Sequence, residues 1–444
     1  MSHLASLRPN GGYNKEGKTI RKGLEHIAGK ELKIFSVFSL FLLLSAAFIL
    51  ESPAGLAHGI RLIVISRDAL ITDYFELAGY GASFLNAALV FGMGIGLIVV
   101  QKISFTGLTM AALFINAGYA LWGKNPVSIL PILLGTALYA KAHHVGFGRY
   151  IYTALFGSCL APLITELVYL LPFGYLGNLA FAAFAGIFIG FILPPLSMHT
   201  ASMHMGYNLF NVGFSGGIIA FVIVCVLKAF GMESDSVMLW KSGESFKISA
   251  ALYLYFGATF LFGLAVNGWK IGGLQKIMRH PGRAVADFVL MDGAGATLMN
   301  MGLVGIVCET YIVLIKGDFS GPVVGAILTV FGFAAFGVHA KNYLPVLAGV
   351  YLSTFFTVFT PDTPGIQLAA VFAAGLAPVA GQFGIAAGII AGFLHAAIVM
   401  CTSQMYGGLN LYNNGFSAGW VAIIMVPVME SFMKQFKERK GKPR

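Results

Sequence analysis

The sequence GYNLFNVGFSGG at residues 206–217 is repeated, 202 residues later, as GLNLYNNGFSAG at residues 408–419. Both copies keep three glycines, two asparagines and one serine in register. An apolar composition alone would align leucines, alanines and valines, but it would not align these residue types. The match therefore indicates an internal duplication, which decides how the rest of the chain is read.

The duplication extends outward from this motif. At an offset of 214 residues, Asp73 aligns with Asp287, and the segment 102–107 (KISFTG) aligns with 316–321 (KGDFSG). Pro131 aligns with Pro345 at the same offset. Polar, proline and glycine positions that stay in register over this length predict two homologous halves.

The composition places these halves in a lipid bilayer. Of 444 residues, 57% are hydrophobic and 10% are charged, and the mean hydropathy is +0.81. A soluble protein has about 25% charged residues, so the main solvent of this chain is predicted to be lipid. The formal net charge of +10 concentrates in the tails, with seven Lys/Arg in 1–33 and six in 430–444. Basic tails of this kind indicate cytoplasmic termini and no nucleic-acid partner.

Apolar segments of about 20 residues give the domain organisation. We predict an all-α integral membrane fold of 10–14 transmembrane segments, in which the short segments 106–123 and 126–141 are either spans or halves of a re-entrant hairpin. The predicted first segment is 34–56. The predicted units are a basic tail at 1–33, repeat one at 34–230, an extracytoplasmic linker at 231–248, repeat two at 249–429 and a second basic tail at 430–444.

The distribution of Lys and Arg predicts that the two repeats are inverted. With the N-terminus inside, the loops at Lys102, Lys141–Arg149 and Lys270–Arg283 fall on the cytoplasmic side, as does the C-terminus. Each repeat then crosses the membrane an odd number of times. Inverted repeats are typical of transporters, whose sites lie near the midplane between the halves. The predicted location is the bacterial cytoplasmic membrane.

The duplicated motif supplies the first candidate site. Asn208 and Asn211, like Asn410 and Asn413, are three residues apart, which in a helix would put both amides on one face. Glycines around them favour broken helices, which expose backbone groups to a solute. The alternative is that the asparagines hold interhelical turns. The predicted substrate-binding residues of this motif include two serines as well: Asn208, Asn211, Ser215, Asn410, Asn413 and Ser417.

A second candidate lies near the start of the second segment of each half. Ser83 and Asn86 correspond to Thr297 and Asn300, and glycines flank both pairs. They are predicted to line the same route. Close helix packing, which small residues permit, explains them equally well.

Three carboxylates break the symmetry. Glu166, Asp292 and Glu309 align with Gln382, Ala78 and Ile95. Because charge at membrane depth is costly, such residues are predicted to couple transport to protons or cations. The alternative is a charge near the interface or paired with a structural partner.

Other chemistries are weakly supported. The chain has no GxxxxGK[ST] phosphate loop and no HExxH motif, and His199 and His204 are badly spaced for one helix face. The two GxSxG patterns, at 213–217 and 415–419, follow no predicted strand, which a nucleophile elbow requires. We therefore expect no metal, no cofactor and no enzymatic activity.

Two resemblances accompany these motifs. With its run at 408–419, the chain resembles a bacterial multi-pass family described only as a domain of unknown function, and this resemblance implies no activity. The layout from Phe84-Leu85-Asn86 through 105–108 (FTGL) to Asn125-Pro126 is similar to that of the urea transporter family, which has two inverted halves with short pore helices. Here, however, Asn-Pro follows the short segment, and His339-Ala340 replaces it in the second half.

The sequence thus favours a membrane transporter for a small polar solute, secondary and coupled to protons through the carboxylates. A passive channel for a small neutral solute is the alternative within this class. An intramembrane enzyme and a non-transporting membrane subunit are the alternatives outside it, and a homo-oligomer is left open.

Overall fold

The structure is a computed structural model that describes residues 15–68, 71–234, 238–243 and 245–440. Parts of both predicted tails, 1–14 and 441–444, lie outside the described residues, as do 235–237 and 244 of the predicted linker.

The first half is a series of helices with one short strand. Its elements are α1 (Lys15–Leu50), α2 (Pro53–Ile65), β1 (Ile71–Thr72), α3 (Tyr74–Leu77), α4 (Gly79–Val100), α5 (Gly107–Tyr119), α6 (Pro126–Ala142), a 3-10 turn (Phe147–Tyr150), α7 (Ile151–Gly157), a 3-10 turn (Ser158–Leu160), α8 (Ala161–Leu170), α9 (Gly174–Met203) and α10 (Asn211–Ala229).

The second half repeats this order closely. After β2 (Met238–Leu239) in the linker, its elements are α11 (Phe246–Val266), α12 (Gly272–Ile277), α13 (Phe288–Asp292), α14 (Ala294–Leu314), α15 (Gly321–Phe333), α16 (Ala340–Ser353), α17 (Pro364–Phe372), a 3-10 turn (Ala373–Leu376), α18 (Ala377–Phe383), α19 (Ile385–Met405) and α20 (Asn413–Lys440).

The all-α membrane fold is confirmed. Within the described ranges, ten helical segments are long and apolar enough to cross a bilayer. The two short segments of the first half form α5 and α6, with 13 and 17 residues. At 1.5 Å per residue they extend about 20 and 25 Å, less than the ~30 Å hydrocarbon core.

One predicted boundary is wrong. The first segment was expected to continue to residue 56, but α1 ends at Leu50 and a new helix begins at Pro53. The Ser52 hydroxyl accepts a hydrogen bond from the Gly55 amide at 3.1 Å, and Pro53 occupies the first helical position. A serine N-cap followed by proline starts a helix rather than continuing one.

Loops predicted to be extracytoplasmic contact one another at one end of the helices. Ile71 of β1 pairs with Met238 of β2 in a parallel ladder. The Asp318 carboxylate accepts hydrogen bonds from Trp240 Nε1 at 2.8 Å and from Gln367 Nε2 at 3.0 Å. The linker therefore packs against loops from both halves.

Loops predicted to be cytoplasmic meet at the other end. Arg283 Nε donates to the Met205 carbonyl at 2.6 Å, and the Gly148 amide donates to Gln101 Oε1 at 3.1 Å. Since α4 connects the loop at Asp73 to the loop at Gln101, the two loop clusters lie at opposite ends of this helix.

Helices α5 and α15 form the centre of the fold and pack antiparallel. The Gly107 amide at the start of α5 donates to Asp287 Oδ1 at 2.9 Å, and the Gly321 amide at the start of α15 donates to Asp73 Oδ1 at 3.1 Å. Each aspartate therefore caps the short helix of the other half. A methyl group on Gly118 would collide with the carbonyl of Gly325, so glycine is required for this close approach.

Candidate functional site

The duplicated motif lies where α10 and α20 meet. Asn208 Nδ2 donates to the Gly415 carbonyl at 2.9 Å, and Asn410 Nδ2 donates to the Gly213 carbonyl at 3.1 Å. The side-chain oxygen of each asparagine accepts from the backbone amide two residues later. These buried amides link the two halves reciprocally through the first turns of two helices.

The second asparagine of the first copy joins α10 to α9. Asn211 Oδ1 accepts from the Thr200 hydroxyl at 2.9 Å and lies 2.8 Å from His204 Nε2. The Ser215 hydroxyl lies 2.7 Å from that of Thr200. Burial lowers the pKa of His204 below its usual value, which favours the neutral ring in this network.

The other copy repeats this network with one substitution. Asn413 Oδ1 accepts from the Thr402 hydroxyl at 3.0 Å, and the Ser417 hydroxyl lies 2.8 Å from that of Thr402. The Tyr406 hydroxyl, in the position of His204, also donates to Asn413. Both networks satisfy their polar groups within the protein, as the alternative explanation of the motif expects.

A cavity of about 380 Å³ lies beside the first copy, between residues of both halves. The first half contributes Ser197, Ala201, His204, Met205, Gly206, the range 208–213, Leu108, Ile115, Tyr152, Thr153 and Phe156, and the second half contributes Ala284, Val285, Phe333, Phe336 and Tyr412. The lining is mostly apolar, with a few polar groups that converge on it. This composition is typical of small-molecule sites.

The wall of the cavity has exposed and buried parts. Val285, which is 82% exposed, belongs to its lining, so the cavity reaches the surface near the loops predicted to be cytoplasmic. Tyr412, which is 2% exposed, belongs to the buried part of the wall.

The cavity contains only part of the predicted motif. Asn208 and Asn211 line it, whereas Ser215, Asn410, Asn413 and Ser417 are not among the described residues of its wall. The two copies meet through the backbone contacts of Asn208 and Asn410 and not around one shared cavity. Their role in binding stays a prediction.

The second predicted pair holds the turns after α5 and α15. Asn86 Nδ2 donates to the carbonyls of Ala120 at 2.6 Å and Lys124 at 2.9 Å. Asn300 Nδ2 donates likewise to Ala334 at 2.7 Å and Val338 at 2.8 Å.

The neighbouring hydroxyls of this pair bond within their own helices. The Ser83 hydroxyl donates to the Gly79 carbonyl at 2.7 Å, and the Thr297 hydroxyl donates to the Gly293 carbonyl at 2.8 Å. Helix packing alone therefore explains these hydrogen bonds of Ser83, Asn86, Thr297 and Asn300.

The three predicted coupling carboxylates lie in separate places. Glu166 pairs with Arg67 at 2.5 Å and accepts from the Ser234 hydroxyl at 2.7 Å. Asp292 lies 2.8 Å from His280 Nε2. Glu309 accepts from the Ser249 hydroxyl at 2.9 Å. None of the three belongs to the described wall of the cavity, and their role in coupling stays a prediction.

A buried lysine next to the cavity escaped the sequence analysis. Lys124, in the loop between α5 and α6, has no exposed surface. Its Nζ donates to Ser158 Oγ at 2.8 Å, to Asn116 Oδ1 at 3.0 Å and to Tyr412 Oη at 3.3 Å. It also lies 5.6 Å from the ring centroid of Tyr119. We call these five residues the Lys124 cluster.

The Lys124 cluster holds a charge that the protein does not neutralise. No aspartate or glutamate of the described chain forms an ion pair with Lys124, and burial lowers the pKa of Lys124 to about 7. The second half offered a signal for this residue, because the position that corresponds to Lys124 is Val338. Like the three unmatched carboxylates, Lys124 therefore breaks the symmetry of the repeat.

Fold and site together define a multi-pass membrane protein with a cavity between two duplicated halves. The chain belongs to the family described as "Protein of unknown function (DUF1576)", whose pattern matches residues 52–229 and 266–431, and the predicted resemblance to a family of unknown function is thereby confirmed. No curated protein and no solved structure matches the chain.

Proposed function

We propose that this protein is a secondary transporter for a small polar solute, with its site in the cavity between two inverted halves. The observation that carries the proposal is the cavity itself, which both halves line at the start of α10 and which contains Asn208 and Asn211. Solute sites at broken helices between inverted repeats are the common plan of secondary transporters.

Inversion is supported by the central helices. Helices α5 and α15, which correspond at an offset of 214 residues, run antiparallel. Asp287 of the second half caps the start of α5, and Asp73 of the first half caps the start of α15. The loops predicted to be extracytoplasmic contact one another, and so do the loops predicted to be cytoplasmic. The basic tails then favour a bacterial cytoplasmic membrane with both termini inside.

A transporter is favoured over a passive channel. A channel needs a continuous route, whereas the wall of this cavity includes the buried Tyr412, which contacts the fully buried Lys124, and we infer that the cavity ends there. Passage would require the closed end to open, which is the alternating access of a transporter. Glu166, which pairs with Arg67 near the predicted outer loops, stays the proposed coupling residue.

Cysteine accessibility tests alternating access without knowledge of the solute. In a background with Cys159, Cys225, Cys308 and Cys401 replaced by alanine, Val212→Cys places a thiol in the cavity. We expect a membrane-impermeant maleimide to label it in inside-out vesicles and, more slowly, in right-side-out vesicles.

The matched control is Val285→Cys at the cavity opening. This exposed thiol should be labelled in inside-out vesicles alone. If Val212→Cys reacts from that same side only, the cavity does not alternate and the transport proposal is wrong.

A further inference from the structure

We propose that the Lys124 cluster binds the carboxylate of a small organic anion, which enters through the cavity and displaces the Tyr412 hydroxyl from Lys124. This inference deepens the transport proposal and rests on it for the biological purpose of the site. It names the class of solute, an anion with an apolar body.

The first argument is the missing counter-charge. Burying an ammonium group is costly, even after the protein relaxes around it. Lys124 gains three hydrogen bonds to neutral oxygens and cation–π contacts with Tyr119 and Tyr412, at 5.6 and 5.3 Å. Such contacts offset part of this cost but supply no opposite charge. A bound carboxylate would supply that charge.

The second argument is that one ligand of Lys124 is displaceable. Of its three oxygen partners, Tyr412 Oη is the most distant, at 3.3 Å. Tyr412 is also the one partner of the three that lines the cavity. An anion arriving from the cavity therefore meets this hydroxyl first, and a rotation of the Tyr412 side chain about χ1 would give it access to the ammonium group.

The third argument is the electrostatic character of the route. The described lining contains no aspartate or glutamate, and the start of α10 at Asn211 presents the positive end of a helix dipole to the cavity. Arg283 lies at the opening, bonded to the Met205 carbonyl.

A carboxylate does lie near the route, but it is fully engaged. Asp287 accepts hydrogen bonds from four backbone amides, those of Gly107, Leu108, Val289 and Leu290. A cavity with this charge distribution favours an anion over a cation or a neutral solute.

The fourth argument concerns the body of the solute. Ile115, Phe156, Phe210 and Phe333 line the same cavity as Tyr412, so the part of the solute behind its carboxylate meets hydrocarbon. Benzoate combines one carboxylate with an apolar ring of suitable size. Benzamide has nearly the same shape and no charge, which makes it a matched neutral probe.

The test measures equilibrium binding of benzoate and benzamide to the purified full-length protein in detergent, by calorimetry at pH 6.5. We expect saturable benzoate binding and benzamide binding that is at least about tenfold weaker. Lys124→Met should weaken benzoate binding about thirtyfold or more and leave benzamide binding unchanged, because the lost partner is a buried charge. Lys141→Met, which removes an exposed lysine of α6, should change neither.

Equal affinities for both probes would overturn the inference, and so would benzoate binding that Lys124→Met leaves intact. Absence of saturable binding of benzoate, butyrate and formate would overturn it as well. Lys124→Gln, which keeps a hydrogen-bonding side chain, replaces Lys124→Met if that variant does not fold. Because binding is measured without flux, a transport failure appears separately, as one-sided labelling of Val212→Cys.

Discussion

The Lys124 cluster and its counterpart in the other half occupy equivalent positions of the repeat, but the first is polar and the second is apolar. At the repeat offsets, Lys124, Asn116, Tyr119, Ser158 and Tyr412 correspond to Val338, Val330, Phe333, Ala374 and Phe210, and we call the second set the apolar counterpart. Every polar side chain of one set is replaced by an apolar side chain in the other.

The backbone and ring packing of the two regions agree closely. Asn86 and Asn300 hold the equivalent turns. The Leu411 amide donates to the Cys159 carbonyl, and the Leu209 amide donates to the carbonyl of the corresponding Gly375, both at 3.0 Å. Tyr412 packs on Tyr119 with ring centroids 4.5 Å apart, and the rings of the apolar counterpart are 4.7 Å apart.

This comparison separates folding from function. The apolar counterpart shows that the scaffold needs neither a charge nor hydroxyls at these positions, because hydrocarbon fills them well. A costly buried lysine that packing does not require is best explained by a ligand. The predictions below test whether the two regions differ in this way.

The largest effect should come from placing the charge in the apolar counterpart. Val338→Lys buries an ammonium group where Val330, Ala374 and Phe210 offer no side-chain acceptor, so we expect a loss of several kcal/mol and little folded protein. Size-exclusion chromatography of detergent extracts measures this.

Adding Val330→Asn, Ala374→Ser and Phe210→Tyr to Val338→Lys should restore part of the folded yield, because these side chains rebuild the three oxygen partners. Normal folding of Val338→Lys alone would show that a buried lysine is cheap in this scaffold and would remove the main argument for a ligand.

The helix caps should respond alike in both halves. Asp73→Ala and Asp287→Ala each free backbone amides at the start of the other half's short helix, and each should destabilise the protein by about 2–3 kcal/mol, since these bonds go to a carboxylate. Thermal unfolding in detergent compares the two. A large loss in one variant beside none in the other would contradict the symmetric capping.

A smaller and again symmetric effect is expected at the turn asparagines. Asn86→Ala and Asn300→Ala each remove a donor to two buried carbonyls, and each should cost about 1–3 kcal/mol. Only Asn86→Ala should also weaken benzoate binding, because only its turn carries Lys124. An equal loss of binding in both variants would mean that the effect is global.

The sequence predicts the scaffold better than the site. The duplication follows from residue types that stay in register, the all-α membrane fold follows from the apolar segments, and the sorting of loops into two clusters follows from the distribution of charge. Each of these signals can be read from short stretches of the sequence. The roles of Asn208 and Asn410 do not follow, because their partners are carbonyl groups in the other half. Sequence spacing therefore does not distinguish a solute-binding amide from one that links two helices.

The Lys124 cluster was harder still to predict. Its residues come from α5, the loop after it, a 3-10 turn and the loop before α20, so only the folded chain brings them together. The available signal was the exchange of Lys124 for Val338 between halves. Carboxylates that break the symmetry were considered, but Glu166 has its own cation in Arg67, whereas Lys124 has no described anion.

The central claim is that Lys124 is a buried cation whose counter-ion is the solute, and proton uptake on binding tests it most directly. Burial lowers the pKa of Lys124 to about 7, so the neutral amine gains population in the free protein as the pH rises above 7. A bound carboxylate favours the charged form, so binding must take up a proton and must weaken as the pH rises above 7.

The other titratable groups that face Lys124 are Tyr119, Cys159 and Tyr412, which are all buried, and burial favours the neutral forms of thiols and phenols. Calorimetric titration of benzoate at pH 8, in buffers of different ionisation enthalpy, counts the protons. The account predicts uptake of nearly one proton per benzoate, which falls towards zero at pH 6 and is absent in Lys124→Met. Benzoate binding at pH 8 with no proton uptake would contradict it.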